Sequence, residues 1–183
     1  DIPLEKSAYV ELDEMKENYP AEHVAIFSSP LTRTRQTAEI LYEGKKVEFL
    51  PELAEINMGE WENTDFDTIR KEWPKLYQAR GQHPYITIAP GGESYCEVGK
   101  RMHHVLLHMT QKRNQDLVMF THSGCIKSLL CKLNEIQEKD FFNTNIPNES
   151  VTILQENNQV LSVHGTGIIP KLLPTESEVE LFY

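Results

Sequence analysis

Val24-Ala25-Ile26-Phe27-Ser28-Ser29-Pro30-Leu31-Thr32-Arg33-Thr34-Arg35-Gln36-Thr37-Ala38 joins a short apolar run to a polar turn and then to a helical pattern. The run Val24 to Phe27 is too short for a helix and shows no polar alternation, so it reads as a buried strand. Ser-Ser-Pro ends it, and residues 31–43 follow as a helix with Leu31, Ala38 and Leu41 among its inward positions. Leu117-Val118-Met119-Phe120 is a second strand of this kind. Ser123-Gly124 then opens a helix carrying Ile126, Leu129, Leu130 and Leu133. Short apolar strands alternating with amphipathic helices predict an α/β fold: a mostly parallel sheet with helices on both faces.

The rest of the chain fits that plan. Leu4, Ala8, Leu12 and Met15 are spaced three and four apart, which predicts a helix over 4–18 that Pro20 ends. Val47 to Leu50 is a strand candidate before Pro51. Thr64 is placed to cap a helix with Phe66, Ile69, Trp73 and Leu76 on one face. Residues 80–92, rich in Gly and Pro, read as a long connection. A helix over 94–112 follows, with Ser94 and Glu97 spaced as a capping box. Residues 150–155 and 159–164 read as a hairpin about Glu156-Asn157-Asn158.

At 183 residues, 39% hydrophobic and 25% charged, the composition is that of an ordinary soluble domain, taken here as one unit over 1–183. A formal net charge of −10 argues against a nucleic-acid partner and requires any phosphate site to be a local positive pocket. The three cysteines, Cys96, Cys125 and Cys131, form no C-x-x-C pair. Free thiols in a reducing, cytoplasmic setting are expected. No apolar run is long enough to span a membrane, so no membrane partner is expected. Nothing in the sequence sets an oligomeric state.

Chemistry is expected where strand ends meet helix starts. His122 lies between a buried strand and a helix whose unpaired N–H groups suit an anion; it either donates to a phosphate oxygen or merely caps the turn. Arg33 offers the planar fork that clamps phosphate, against the alternative of a solvated helix arginine; Arg35 points elsewhere. Glu55 is a proton-donor candidate if its surroundings are partly apolar, although Glu52, Glu60 and Glu62 show how common surface glutamates are here. Gly91-Gly92-Glu93-Ser94 is a turn that either touches substrate or caps the next helix. His104 and His108 have metal-pair spacing but no third ligand nearby, so no metal site is expected. Cys125 reads as a small buried thiol.

In order along the chain, these segments resemble the histidine phosphatase superfamily, the phosphoglycerate mutase-like group. The resemblance rests on S-S-P-L-x-R-x-x-Q-T-A at 28–38, L-x-E-x-x-x-G-x-W-E at 53–62 and G-E-S at 92–94. It also includes the strand–H-x-G–helix of 117–124 and the Asn-containing strand entry at 146–151. The resemblance implies a metal-independent phosphomonoesterase that works through phosphohistidine on a small phosphate ester, without an organic cofactor. Arg33 would clamp the phosphoryl group, Glu55 would donate and accept the proton, and His122 would stabilise developing charge. Ser29, Glu93, Ser94 and Ser123 would contact substrate, and residues 62–95 would set specificity. Hydrolysis is favoured over mutase activity because the connections are short.

The sequence also departs from the family pattern. No Arg-His-Gly segment, the source of the nucleophile, is present, and the chain opens Asp1-Ile2-Pro3 without methionine. The expectation is a domain truncated at its N-terminus, or else an inactive relative that binds phosphorylated ligands or a partner. The missing segment is an interior strand in the family, so a rearranged or completed sheet is expected. Asn63 stands where a glycine commonly follows Trp-Glu.

Overall fold

In the computed structural model, which describes residues 1–19, 22–112 and 115–170, the Val24 run is strand β1, Val24–Ser28. Helix α1, Lys6–Met15, precedes it. Helix α2, Thr32–Leu41, leads to strand β2, Val47–Phe49. Helices α3, Phe66–Glu72, α4, Pro74–Gln82, and α5, Tyr95–Lys112, lead to strand β3, Asp116–Phe120. Helix α6, Ser123–Lys132, and an antiparallel pair, β4, Val151–Asn157, and β5, Val160–Ile168, complete the described chain.

The parallel sheet has the order β2-β1-β3, with Ile26 opposite both Val47 and Val118. Successive side chains of β1 point to opposite faces. Ala25 and Phe27 enter a core with Leu53, Val98, Met102 and Leu129, so α5 and α6 cover that face. Ile26 enters a second core with Leu12, Met15, Leu41 and Tyr42, so α1 and α2 cover the other. Phe27 is completely buried, worth roughly 1.5–3 kcal/mol. The doubly covered parallel sheet predicted from the sequence is the fold that forms. Among the described residues, β2 and β3 are the outer strands of this sheet, and β4–β5 form a separate two-stranded sheet.

Local differences have local causes. Asp65 rather than Thr64 caps α3, its Oδ1 accepting from the Thr68 N–H at 2.9 Å. Phe66 is 75% exposed, while Ile69 takes the inward position. Pro74 cannot continue α3 and instead begins α4, which runs to Gln82 and shortens the expected connection. The hairpin turns at Asn158-Gln159, both at positive φ, as a two-residue loop requires. Asn63 takes φ +58°, a left-handed position that suits glycine and that asparagine tolerates better than most residues. Pro20 lies outside the described residues.

Candidate active site

The ends of β1 and β3 lie side by side, with Ser28 opposite Phe120. The Ser29 N–H donates to the Phe120 carbonyl at 2.8 Å and extends the ladder one step. This brings Ser29, just past β1, against His122, just past β3. His122 Nε2 is 2.8 Å from Ser29 Oγ, and Nδ1 is 2.9 Å from Arg33 Nη2. Arginine can only donate, so Nδ1 accepts and Nε2–H donates to Ser29. Burial, then the charges of Arg33 and Arg101, pushes the His122 pKa down to about 3. The ring is therefore neutral at pH 7. Arg33 makes no ion pair with a carboxylate among the described residues, so this end of the site carries a net positive charge.

Glu55 follows a single 3-10 turn, Pro51–Leu53, after β2. Its Oε1 accepts from the Ile56 N–H at 2.9 Å. Its carboxylate lies against Gly124, the second residue of α6, where a Cβ would overlap Oε1. The strip 52–58 is tied down from α6 and the turn before it: Thr121 Oγ1 donates to the Leu53 carbonyl at 2.8 Å, and Cys125 Sγ to the Ala54 carbonyl at 3.0 Å. Burial, then the Glu55 charge, pushes the Cys125 thiol up to about 12, which makes it a neutral packing group.

Arg101 on α5 braces the same strip. It donates to the carbonyls of Glu52 at 2.5 Å and Ala54 at 2.7 Å. It also pairs with both oxygens of Glu93, at 3.0 and 3.2 Å. Glu93 Oε1 in turn accepts from the Asn57 N–H at 2.9 Å. Ser94 is buried and forms the capping box: its Oγ donates to Glu97 Oε2 at 2.8 Å and accepts from the Glu97 N–H at 3.1 Å. Ser123 is exposed at the start of α6.

Of the residues singled out in the sequence, Ser29, Arg33 and His122 meet directly, and Glu55 lies against Gly124 nearby. The side chains of Glu93 and Ser94 are engaged by Arg101 and Glu97. Sequence reasoning missed Arg101 and Arg80, whose partners lie far along the chain; a half-buried arginine on a helix has no local signature. His104 and His108 stack at 6.2 Å on α5. Among the described residues no group of three or more His, Cys, Asp or Glu is arranged to hold a metal. No helix among them is long and apolar enough to cross a membrane.

A family model, histidine phosphatase superfamily (branch 1), matches residues 1–168. This chain belongs to that superfamily. Among histidine phosphatase relatives, phosphoserine phosphatase 1 of Hydrogenobacter thermophilus is 26% identical over 152 residues, 79% of this chain and 72% of that protein. Human 6-phosphofructo-2-kinase/fructose-2,6-bisphosphatase 3 is 30% identical over 122 residues, 65% of this chain and 22% of that protein. The chain thus spans most of the first relative and less than a quarter of the second. In fold it is similar to Bacillus stearothermophilus YhfR, with a TM-score of 0.80 at 24% identity, covering 92% of this chain and 86% of that one. It is also similar to a phosphoserine phosphatase of Entamoeba histolytica, a mutant in complex with phosphoserine. There the TM-score is 0.81 at 22% identity, covering 94% of this chain and 88% of that one.

Proposed function

We propose that this domain belongs to a phosphomonoesterase acting on a small phosphate ester. The observation that carries this is the contact of Arg33 and Ser29 with neutral His122, beside Glu55. Arg33 holds the phosphoryl oxygens through parallel charged hydrogen bonds. His122 and the first N–H groups of α6 face the charge that builds as the ester bond breaks. Glu55 gives its proton to the departing oxygen and takes one back from the water that releases phosphate. The nucleophile is the histidine of an Arg-His-Gly segment, which residues 1–183 do not contain. Among the described residues β3, whose end carries His122, has a sheet neighbour on one side only, and we place such a segment on its other side. Relatives named for phosphoserine and fructose-2,6-bisphosphate support small phosphorylated substrates and hydrolysis rather than mutase activity. We place the work in the cytoplasm, without metal or organic cofactor.

The second reading is phosphate binding without turnover, for which the Arg33–His122 contact alone would suffice. The deciding experiment uses the protein as isolated from its source, with whatever lies upstream of Asp1. Phosphate release with an acid-labile phosphoenzyme supports the enzyme. Saturable phosphate binding without release supports the binder. Neither binding nor release would sink both readings.

A further inference from the structure

His104 and His108 stand four residues apart on α5, about one helical turn, and both are exposed. Val105 and Met109, each one position on, are buried and turn toward the core. The two imidazoles stack with their centroids 6.2 Å apart and their planes 10° from parallel. Four residues of helix rise about 6 Å, so the rings lie one above the other along the outer face of α5. Among the described residues, the histidine ring nitrogens with a hydrogen-bond or ion-pair partner are those of His83, His122 and His164. The nitrogens of His104 and His108 are open to a ligand.

Neutral imidazole offers one nitrogen lone pair per ring, which suits Ni²⁺, Cu²⁺ and Zn²⁺; Mg²⁺ and Ca²⁺ take oxygen instead. Two rings at i and i+4 can share one ion, and the second bond forms on a scaffold that already holds the first. Rotation about the exposed side-chain torsions tips the rings toward a common ion, at about 2.0–2.1 Å from each nitrogen for zinc. Among the described residues no third His, Cys, Asp or Glu joins the pair, so water completes the coordination. His103 is next in sequence but points about 100° round the helix. It is half-buried, and burial, then the charge of Lys132, holds its pKa below the ordinary value. Lys100 and Lys112 extend the ridge by one turn at either end, and their flexible ammonium groups weaken the attraction for a cation without closing the site. The net charge of −10 acts in the opposite direction.

We propose that His104 and His108 form a two-histidine site on the outer face of α5 for a late first-row divalent cation, with water in its remaining positions. The site stands apart from the phosphate reading, since none of Arg33, Glu55 and His122 is a ligand in it. The ion staples two successive turns of α5, so the folded chain gains stability as the cation is added.

The probe is Ni²⁺, which takes imidazole and leaves the three free thiols unoxidised. Calorimetry of the full chain at neutral pH is expected to show one site stronger than the background of isolated histidines. His104→Ala and His108→Ala each leave a single donor and are expected to weaken Ni²⁺ binding about a hundredfold. His103→Ala is expected to leave it unchanged. Lys100→His placed in the His108→Ala chain builds a new i, i+4 pair at 100 and 104 and is expected to restore most of the affinity. His104, His108 and Lys100 are all exposed, so these variants are expected to fold, which circular dichroism checks. Equal Ni²⁺ affinity in the parent and in both single variants would overturn the proposal. So would loss of the site in His103→Ala, or no recovery when the pair is rebuilt at 100 and 104.

Discussion

Arg33 Nη2 stands 2.9 Å from His122 Nδ1, and that contact fixes which imidazole nitrogen carries the proton. A guanidinium has no lone pair to offer, so the nitrogen facing it is the acceptor. The other nitrogen is committed to Ser29, so the ring is held at both ends and kept neutral. In the proposed reading, a phosphate entering between Arg33 and His122 would replace this internal bond with bonds to its own oxygens. Its negative charge would raise the His122 pKa from its depressed value.

The depressed His122 pKa makes stability pH-dependent. The unfolded chain binds a proton on this histidine near its ordinary pKa, the folded chain only near 3. Between those values the unfolded state holds more protons, so stability falls as pH falls and this loss is complete below 3. The slope has a ceiling of about 1.4 kcal/mol per pH unit for one proton. His122→Gln removes it. Thermal unfolding of the two proteins from pH 8 to 4 should show the parent losing ground below about pH 6.5, the ordinary value for histidine. Parallel curves would contradict a neutral, buried His122.

Arg33 supplies charge and geometry together, and substitutions separate the two. Arg33→Ala should weaken inorganic phosphate binding by about a hundredfold, and Arg33→Lys by about tenfold. Removing the guanidinium also removes a charge that disfavours protonation of His122. The His122 pKa therefore rises in Arg33→Ala, which NMR titration of the ring reads directly. Unchanged phosphate affinity in both variants would take Arg33 out of the site.

The sheet was legible because β1 and β3 are continuous apolar runs and leave little choice of structure. The boundary of α3 was less so, because Thr64 and Asp65 are both good caps and only tertiary packing, with Ile69 inward and Phe66 outward, chooses between them. Arg33, His122 and Ser29 could be found because each lies between a parallel strand's end and the first turn of the helix that follows it. Arg101 and Arg80 could not. Arg101 meets the carbonyls of Glu52 and Ala54 and Arg80 meets Met58, across intervals that carry no sequence period. Glu93 shows the same limit. Its G-E-S motif suggests substrate contact, but its oxygens are bound by Arg101 and Asn57.

Two glycines separate stability from site geometry. At Gly59, φ is +55° and a Cβ would strike the backbone of Pro90, Gly91 and Gly92. Gly59→Ala should therefore cost about 1–3 kcal/mol or more in urea unfolding. At Gly124 a Cβ meets only the flexible end of Glu55. Gly124→Ala should stay within about 1 kcal/mol of the parent, because a side chain swings aside more cheaply than a backbone. Its cost falls on the carboxylate, which a crystal structure of the variant should show displaced from α6. An undisplaced Glu55 would contradict the contact.

Arg101 joins α5 to the strip before Glu55 and, through Glu93, to Asn57 beyond it. Arg101→Met keeps much of the stem but removes the charge and leaves the Glu52 and Ala54 carbonyls without these donors. The ion pair with Glu93 is about three-quarters buried, so removing one partner strands the other. A loss of about 1–3 kcal/mol in urea unfolding is expected for Arg101→Met, and a smaller one for Glu93→Gln, whose amide oxygen can still accept from Asn57. The double variant should lose less than the sum of the two, because the stranded charge disappears. Strict additivity would mean that the pair contributes nothing as a unit and that the strip holding Glu55 is braced by the carbonyl bonds alone.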